Sequence, residues 1–224
     1  ISPSLPNGLS IGSTNGTIWG TPTTASALTS YTIWGNNSAG SSSTTISIQV
    51  ETTPTSLSYG TENMTLTKGL AMTTNTATVG GGTPTSWEIS PSLPSGLSFS
   101  STTGEISGTP TVLQTTAITY TVWANNTAGS VNTSLNITIN DVAPNSVVYS
   151  PENMTLNNNT AITTNTPTAG GGTVTSWEIS PALPSGLSFG STNGSIWGTP
   201  TVEQASTTYT VWANNSGGSS SGSI

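Results

Sequence analysis

Apolar and hydroxyl side chains take turns along much of this chain. In "TYTVWAN", Tyr120, Val122 and Ala124 fall on one side, and Thr121, Trp123 and Asn125 on the other. In "SLNITIN", Leu135, Ile137 and Ile139 alternate with Asn136 and Thr138. A period of two predicts strands buried on one face. Trp87 and Ile89 share a face, with Glu88 opposite. Between these stretches lie dense turn signals: "GGGTP", "LPSG", "TTGE", "STNG", "GTP" and "NNTAG". No window of about eleven residues carries a helical stripe of good helix formers. Many short strands and frequent turns predict an all-β chain of antiparallel β-sandwiches. In "LPxGL", proline fixes the backbone, glycine permits positive φ, and the two leucines tuck beneath. "GTP" then ends the next short strand at a tight corner.

The pattern repeats. "SWEISPSLPSGLSFSSTTGEISGTPT" (Ser86–Thr111) returns as "SWEISPALPSGLSFGSTNGSIWGTPT" (Ser176–Thr201), and a shortened copy runs from Ile1 to Thr23. Pro3, Pro91 and Pro181 correspond, as do Tyr31, Tyr120 and Tyr209, and Tyr59 and Tyr149, at spacings of 88 to 90 residues. That period exceeds the roughly 20–50 residues of most solenoid repeats. It suits a string of small independent domains. Residues 1–50 read as the C-terminal part of one repeat, 54–140 as a complete repeat, and 144–224 as a repeat nearly complete, about four residues short of finishing its last strand. The joints "VETTP" and "NDVAP" each bring one acid and a proline that stiffens the crossing.

The motifs "P-[SA]-L-P-[SN]-G-L-S-[FI]", "G-x-I-x-G-T-P-T" and "Y-T-[VI]-W-[AG]-N-N" resemble the Ig-like repeats of bacterial and archaeal surface proteins, relatives of the dystroglycan-type cadherin-like domains. The resemblance covers essentially the whole chain and recurs in every repeat. It implies a seven-stranded Ig-like or cadherin-like sandwich, arrayed in tandem within very large extracellular proteins, serving adhesion or spacing rather than catalysis. One departure concerns calcium. Relatives commonly carry an aspartate after the "Y-x-V-x-A" strand, and cadherins hold calcium with acids near their joints. Here that position is Asn36–Asn37, Asn125–Asn126 and Asn214–Asn215.

Composition agrees with this reading. Lys68 is the only basic residue against eight acids, a net charge of −7. Nucleic acid and anionic membrane both need a basic face, so neither is an expected partner. The chain has no cysteine and no histidine, which removes disulfides, thiolate metal sites and the commonest general base. Serine and threonine exceed a third of the residues, while 4% are charged. No apolar run approaches the roughly 20 residues that span a bilayer. The chain reads as a piece of a longer secreted polypeptide whose targeting and anchoring signals lie outside it. The expected location is extracellular, at the cell surface or in a secreted filament. No cofactor is expected. A calcium ion wants six to eight oxygens, and only Glu51 and Asp141, with Glu62 and Glu152 nearby, could contribute to one at the joints. The alternative is ordinary solvated acids.

Two residue types remain as candidate sites. Glycosylation triplets, N-x-[ST], occur at Asn15, Asn36, Asn63, Asn125, Asn132, Asn136, Asn153, Asn158, Asn193 and Asn214. With twenty asparagines and this much serine and threonine, about seven would arise by chance. Their recurrence is the better argument: Asn36, Asn125 and Asn214 at one strand end, Asn15 and Asn193 at one turn, Asn63 and Asn153 at one early strand. Among the tryptophans, Trp87 and Trp177 fall on apolar faces as core. Trp34, Trp123, Trp212, Trp19 and Trp197 fall on polar faces and are interface candidates. In the plainer alternative they cover one another across neighbouring strands of one sheet. Catalysis is not expected: Lys68 occurs in one copy only, and Glu105 is Thr17 and Ser195 in the others. Three functions are consistent with all this. One is a structural fibre, stalk or coat; the second is an adhesin spacer; the third is a carbohydrate-binding module using the outward tryptophans. The partners expected are copies of the chain or neighbouring repeats, with attached glycans.

Overall fold

The computed structural model describes residues 1–224. The middle repeat shows the complete fold. Its strands are numbered after the four of the first repeat, β1 (Leu9–Ile11), β2 (Ile18–Gly20), β3 (Ser26–Asn37) and β4 (Gly40–Val50). They are β5 (Pro54–Tyr59), β6 (Asn63–Thr67), β7 (Ala77–Gly81), β8 (Ser86–Ser90), β9 (Leu97–Phe99), β10 (Ile106–Gly108), β11 (Gln114–Asn126) and β12 (Gly129–Asn140). One layer is a four-stranded sheet in the order β6-β12-β11-β8. The other joins the β5–β7 and β9–β10 pairs through the Asn75–Ile106 backbone bonds. The first strand is thus divided between layers. β5 pairs with β7, the chain crosses at Gly60–Glu62, and β6 pairs with β12. That last pairing is parallel, the one exception to the antiparallel order.

Alternation builds the core as the sequence predicts. Tyr120, Val122 and Ala124 of β11 and Leu135, Ile137 and Ile139 of β12 are buried against Leu57, Tyr59, Met64, Trp87 and Ile106. Burying an isoleucine of this kind contributes about 1.5–3 kcal/mol.

The third repeat contains β13 (Pro144–Val148), β14 (Thr168–Gly171), β15 (Ser176–Ser180), β16 (Leu187–Phe189), β17 (Ile196–Gly198), β18 (Thr210–Asn215) and β19 (Gly218–Ser223). Its core repeats the plan with Val147, Tyr149, Trp177, Ile196, Val211 and Ala213. Residues 153–157, the counterpart of β6, form no strand, because the partner segment Asn136–Asn140 corresponds to positions past Ile224. Asn153 therefore does not lie on a strand, although Asn63 does. In the first repeat, where β3 pairs with β4, Tyr31 is the one buried residue.

A tyrosine and a glycine pin the short hairpin turn to the core in both larger repeats. The Tyr59 hydroxyl donates to the Gly104 carbonyl at 2.5 Å, and Tyr149 does the same to Gly194. Burial pushes both phenols up to about 12. Gly104 has φ +74°, and a Cβ there would stand 2.4 Å from the Trp87 ring. Gly194 has φ +70° and lies equally close to Trp177 and Pro167. No side chain fits between that turn and the tryptophan.

Candidate functional site

The outward tryptophans come in two kinds. Trp123 lies on the outer face of β11, in cross-strand register with Glu88 and Asn132. Trp212 lies between Glu178 and Ser221 in the same way, and Trp34 lies beside Ser43. Trp19 and Trp197 sit instead on the hairpins β1–β2 and β16–β17, beside Ser10 and Ser188. Those hairpins belong to the opposite layer. The two outward rings of one repeat therefore point away from each other, and the expectation that they cover one another across one sheet is corrected. Period-two alternation tells inward from outward but not which layer a strand joins.

Trp19 and Trp197 cover their own hairpins. A Cβ on Gly12 would lie 3.4 Å from the Trp19 ring and 2.3 Å from Asn15 Oδ1; Gly190 stands in the same relation to Trp197 and Asn193. The middle repeat has Ser100, Thr103 and Ser107 at these three positions. Glycine, asparagine and tryptophan thus change together. Trp19, Trp34 and Trp197 stay 54%, 45% and 41% exposed, while Trp123 and Trp212 are half-buried.

The asparagine pairs lie at the joints. Asn126 Oδ1 accepts the N–H groups of Ala128 and Gly129, which fixes the amide. Its Nδ2 then donates to the Thr52 carbonyl at 2.8 Å and to Thr83 at 3.3 Å. Thr127 Oγ1 donates to the Glu51 carboxylate at 2.5 Å, and Gln49 Nε2 donates to its other oxygen at 3.0 Å. At the second joint, Asn215 Oδ1 accepts the Gly217 N–H and its Nδ2 donates to the Val142 carbonyl at 2.7 Å. The Asp141 N–H donates to Ser216 Oγ at 2.9 Å, and the Thr173 N–H donates to the Asp141 carboxylate at 3.2 Å. Sequence reasoning singled out the first asparagine of each pair, Asn125 and Asn214, as a glycan acceptor and missed the joint role of the second. The signal was there: each pair recurs about 75 residues after a joint acid, Glu51 before Asn126 and Asp141 before Asn215.

Of the ten triplet asparagines, Asn125, Asn136 and Asn214 are half-buried and the other seven exposed. Asn15 and Asn193 each accept an N–H two residues on, closing their own turn. Asn136 donates to Asn63 across β12 and β6 at 2.9 Å. Asn132 stands on the outer face of β12. The acids do not gather into a group of three or more. Glu51 and Asp141 serve the joints, while Glu62 and Glu152 are exposed. Glu88 on β8 and Glu105 before β10 belong to different layers.

A family profile described as "Putative Ig domain" matches residues 1–51, 49–140 and 143–224. The "Serine-rich adhesin for platelets" of Staphylococcus aureus strain MRSA252 is 37% identical over 153 residues, 62% of this chain and 10% of that protein. The same-named protein of strain USA300 matches at 37% identity over 6% of its length. The chain thus spans a tenth or less of these curated relatives. Among solved structures, the I-band fragment I67–I69 of titin aligns over 100% of this chain and 82% of its own, with TM-score 0.51 and 18% identity. That likeness concerns the fold alone.

Proposed function

The chain belongs to the Ig domain family that matches it three times over, and from that premise we propose that it is a non-catalytic repeat segment of a large surface protein, serving as a spacer or stalk outside the cell. One observation carries the reading: consecutive copies of one sandwich, the first present only as its C-terminal part, follow each other through joints of three residues, with their reactive side chains dispersed. The likeness to an adhesin, of which the aligned region is a small fraction, supports a surface location. The single outward ring per layer supports a spacer over a carbohydrate-binding platform, which would set several rings on one face. Copies of itself and adjoining repeats are its partners in this reading, and the exposed triplets, Asn132 foremost, are its glycan acceptors. No calcium is needed at the joints.

Antibodies raised against this segment test the location. They should label intact cells of the source organism, and labelling only after permeabilisation would overturn it. Small-angle scattering of the purified chain should give an elongated particle whose length grows with each added repeat. A compact particle would argue against a spacer.

A further inference from the structure

Three residues separate β4 from β5, and three separate β12 from β13. Such a linker could swivel. Here none of the three is free. At the first joint, Glu51 is held by Thr127 and the Thr52 carbonyl by Asn126. Thr53 Oγ1 donates to the Ala128 carbonyl, and the Thr53 carbonyl accepts the Gly82 N–H at 3.0 Å. At the second joint, Asp141 is held by Ser216 and Thr173, and Val142 by Asn215. A Cβ on Gly217 would stand 2.8 Å from the Ala143 nitrogen, so the turn lies directly on the last linker residue. On the other side, Val50 pairs with Ser26, and the Asn140 carbonyl accepts the Lys68 N–H. Each linker is therefore held chiefly by the repeat that follows it, with Gln49 of the preceding repeat also bonded to Glu51 at the first joint, and little of it is left to swivel.

We propose that the turn N-N-[ST]-x-G of each repeat is a docking surface for the linker that joins it to the repeat before it. The partner it fits is a segment of acid, two small residues and proline. The second asparagine of the pair is the recognition group. Its Oδ1 is committed to the turn, so its Nδ2 is aimed at the carbonyl following the acid. Asn37 is preset in the same way by the Ala39 and Gly40 N–H groups. The turn itself therefore aims the amide, before any joint is made. The loops at Gly82 and Gly172 form the other jaw: a Cβ there would stand 1.6 Å from the Thr52 oxygen and 2.1 Å from the Val142 oxygen. Glycine lets the linker lie flat in that slot. The inference goes beyond the spacer reading. It holds or fails at the joint, wherever the protein works.

With no native cysteine, the chain accepts two spin labels cleanly, at Ser98→Cys and Ser188→Cys, both exposed and one in each larger repeat. Pulsed electron resonance should read a narrow distance distribution across the second joint in the full chain. Asn215→Asp keeps the turn acceptor and removes the donor. It should widen that distribution about twofold, freeing the motion expected of two domains on a flexible link. Asn126→Asp, at the other joint, should leave the width unchanged. An unchanged width in a folded Asn215→Asp chain, or a parent distribution already broad, would overturn the proposal. If circular dichroism shows that Asn215→Asp unfolds the third repeat, Ser216→Ala decides by the same width.

Discussion

The middle and third repeats are nearly the same text, yet one seam separates them. In the middle repeat, Met64 and Leu66 of β6 lie in parallel register with Ile137 and Ile139 of β12. In the third, Met154 and Leu156 line an open groove of ≈ 540 Å³ that also touches Ile196, Tyr209 and Ile224. Met64 is buried, whereas Met154 is only half-buried. The last five residues of the final strand therefore do two jobs. They close the core and give the divided first strand its second half.

Supplying that strand should have the largest effect. Extending the chain past Ile224 with the sequence of Asn136–Asn140 should stabilise the third repeat by about 3 kcal/mol or more, from two newly buried isoleucines. Calorimetry should show its transition moving up by about 4–8 °C per kcal/mol. A transition that stays in place would mean that the groove does not accept the strand. Conversely, Ile137→Ala should cost the middle repeat about 2–5 kcal/mol.

The two repeats share the tyrosine that holds the hairpin turn, so they should answer equally to its loss. Tyr59→Phe or Tyr149→Phe leaves a buried glycine carbonyl without its donor and should cost about 1–3 kcal/mol. Both phenols titrate higher in the fold than the ordinary value of 10.0. The unfolded chain gives up these protons first. Stability is therefore full below pH 10 and falls as pH rises towards about 12. Urea midpoints across that range should decline in the parent and flatten in the double phenylalanine variant. A slope unchanged in that variant would assign the alkaline loss to other groups.

The smallest difference lies at one backbone nitrogen. Asn75 donates to the Thr61 carbonyl and accepts the Thr61 N–H. Its counterpart Asn165 donates to the Pro151 carbonyl, but proline has no N–H to return, and Asn165 Oδ1 is buried without a partner. Thr61→Pro should remove that N–H bond and cost the middle repeat about 1 kcal/mol. Equal denaturation midpoints for parent and variant would reject this account.

How much was legible follows from what alternation carries. The faces of β11 and β12 could be read residue by residue, because Val122, Ala124, Ile137 and Ile139 each sit two positions from the next. The hairpins between "LPxGL" and "GTP" were legible from proline and glycine alone. The division of the first strand was not, since nothing in "YGTEN" reveals that β6 changes layers. Nor was the placement of Trp197 against Trp212, for a face says nothing of which sheet owns it. The Thr127–Glu51, Asn126–Thr52 and Asn215–Val142 bonds at the joints and the Tyr59–Gly104 bond link residues 45 or more positions apart. Polar partners at such separation leave no periodicity. The first asparagine of each pair was read as a glycan acceptor because a triplet is visible locally, while the clamp made by the second is not.

The parallel seam between β6 and β12 also decides how the array meets tension. The first and last strands of a sandwich lie side by side and point the same way, so opposite pulls on the two ends slide one along the other. All the bonds of Asn63–Thr67 with Asn136–Asn140 then resist together, instead of parting one at a time as in a peeled hairpin. Each joint of three residues holds only about 10 Å of slack. Force therefore reaches that seam almost at once, and the chain behaves less like a spring than like a row of shear pins.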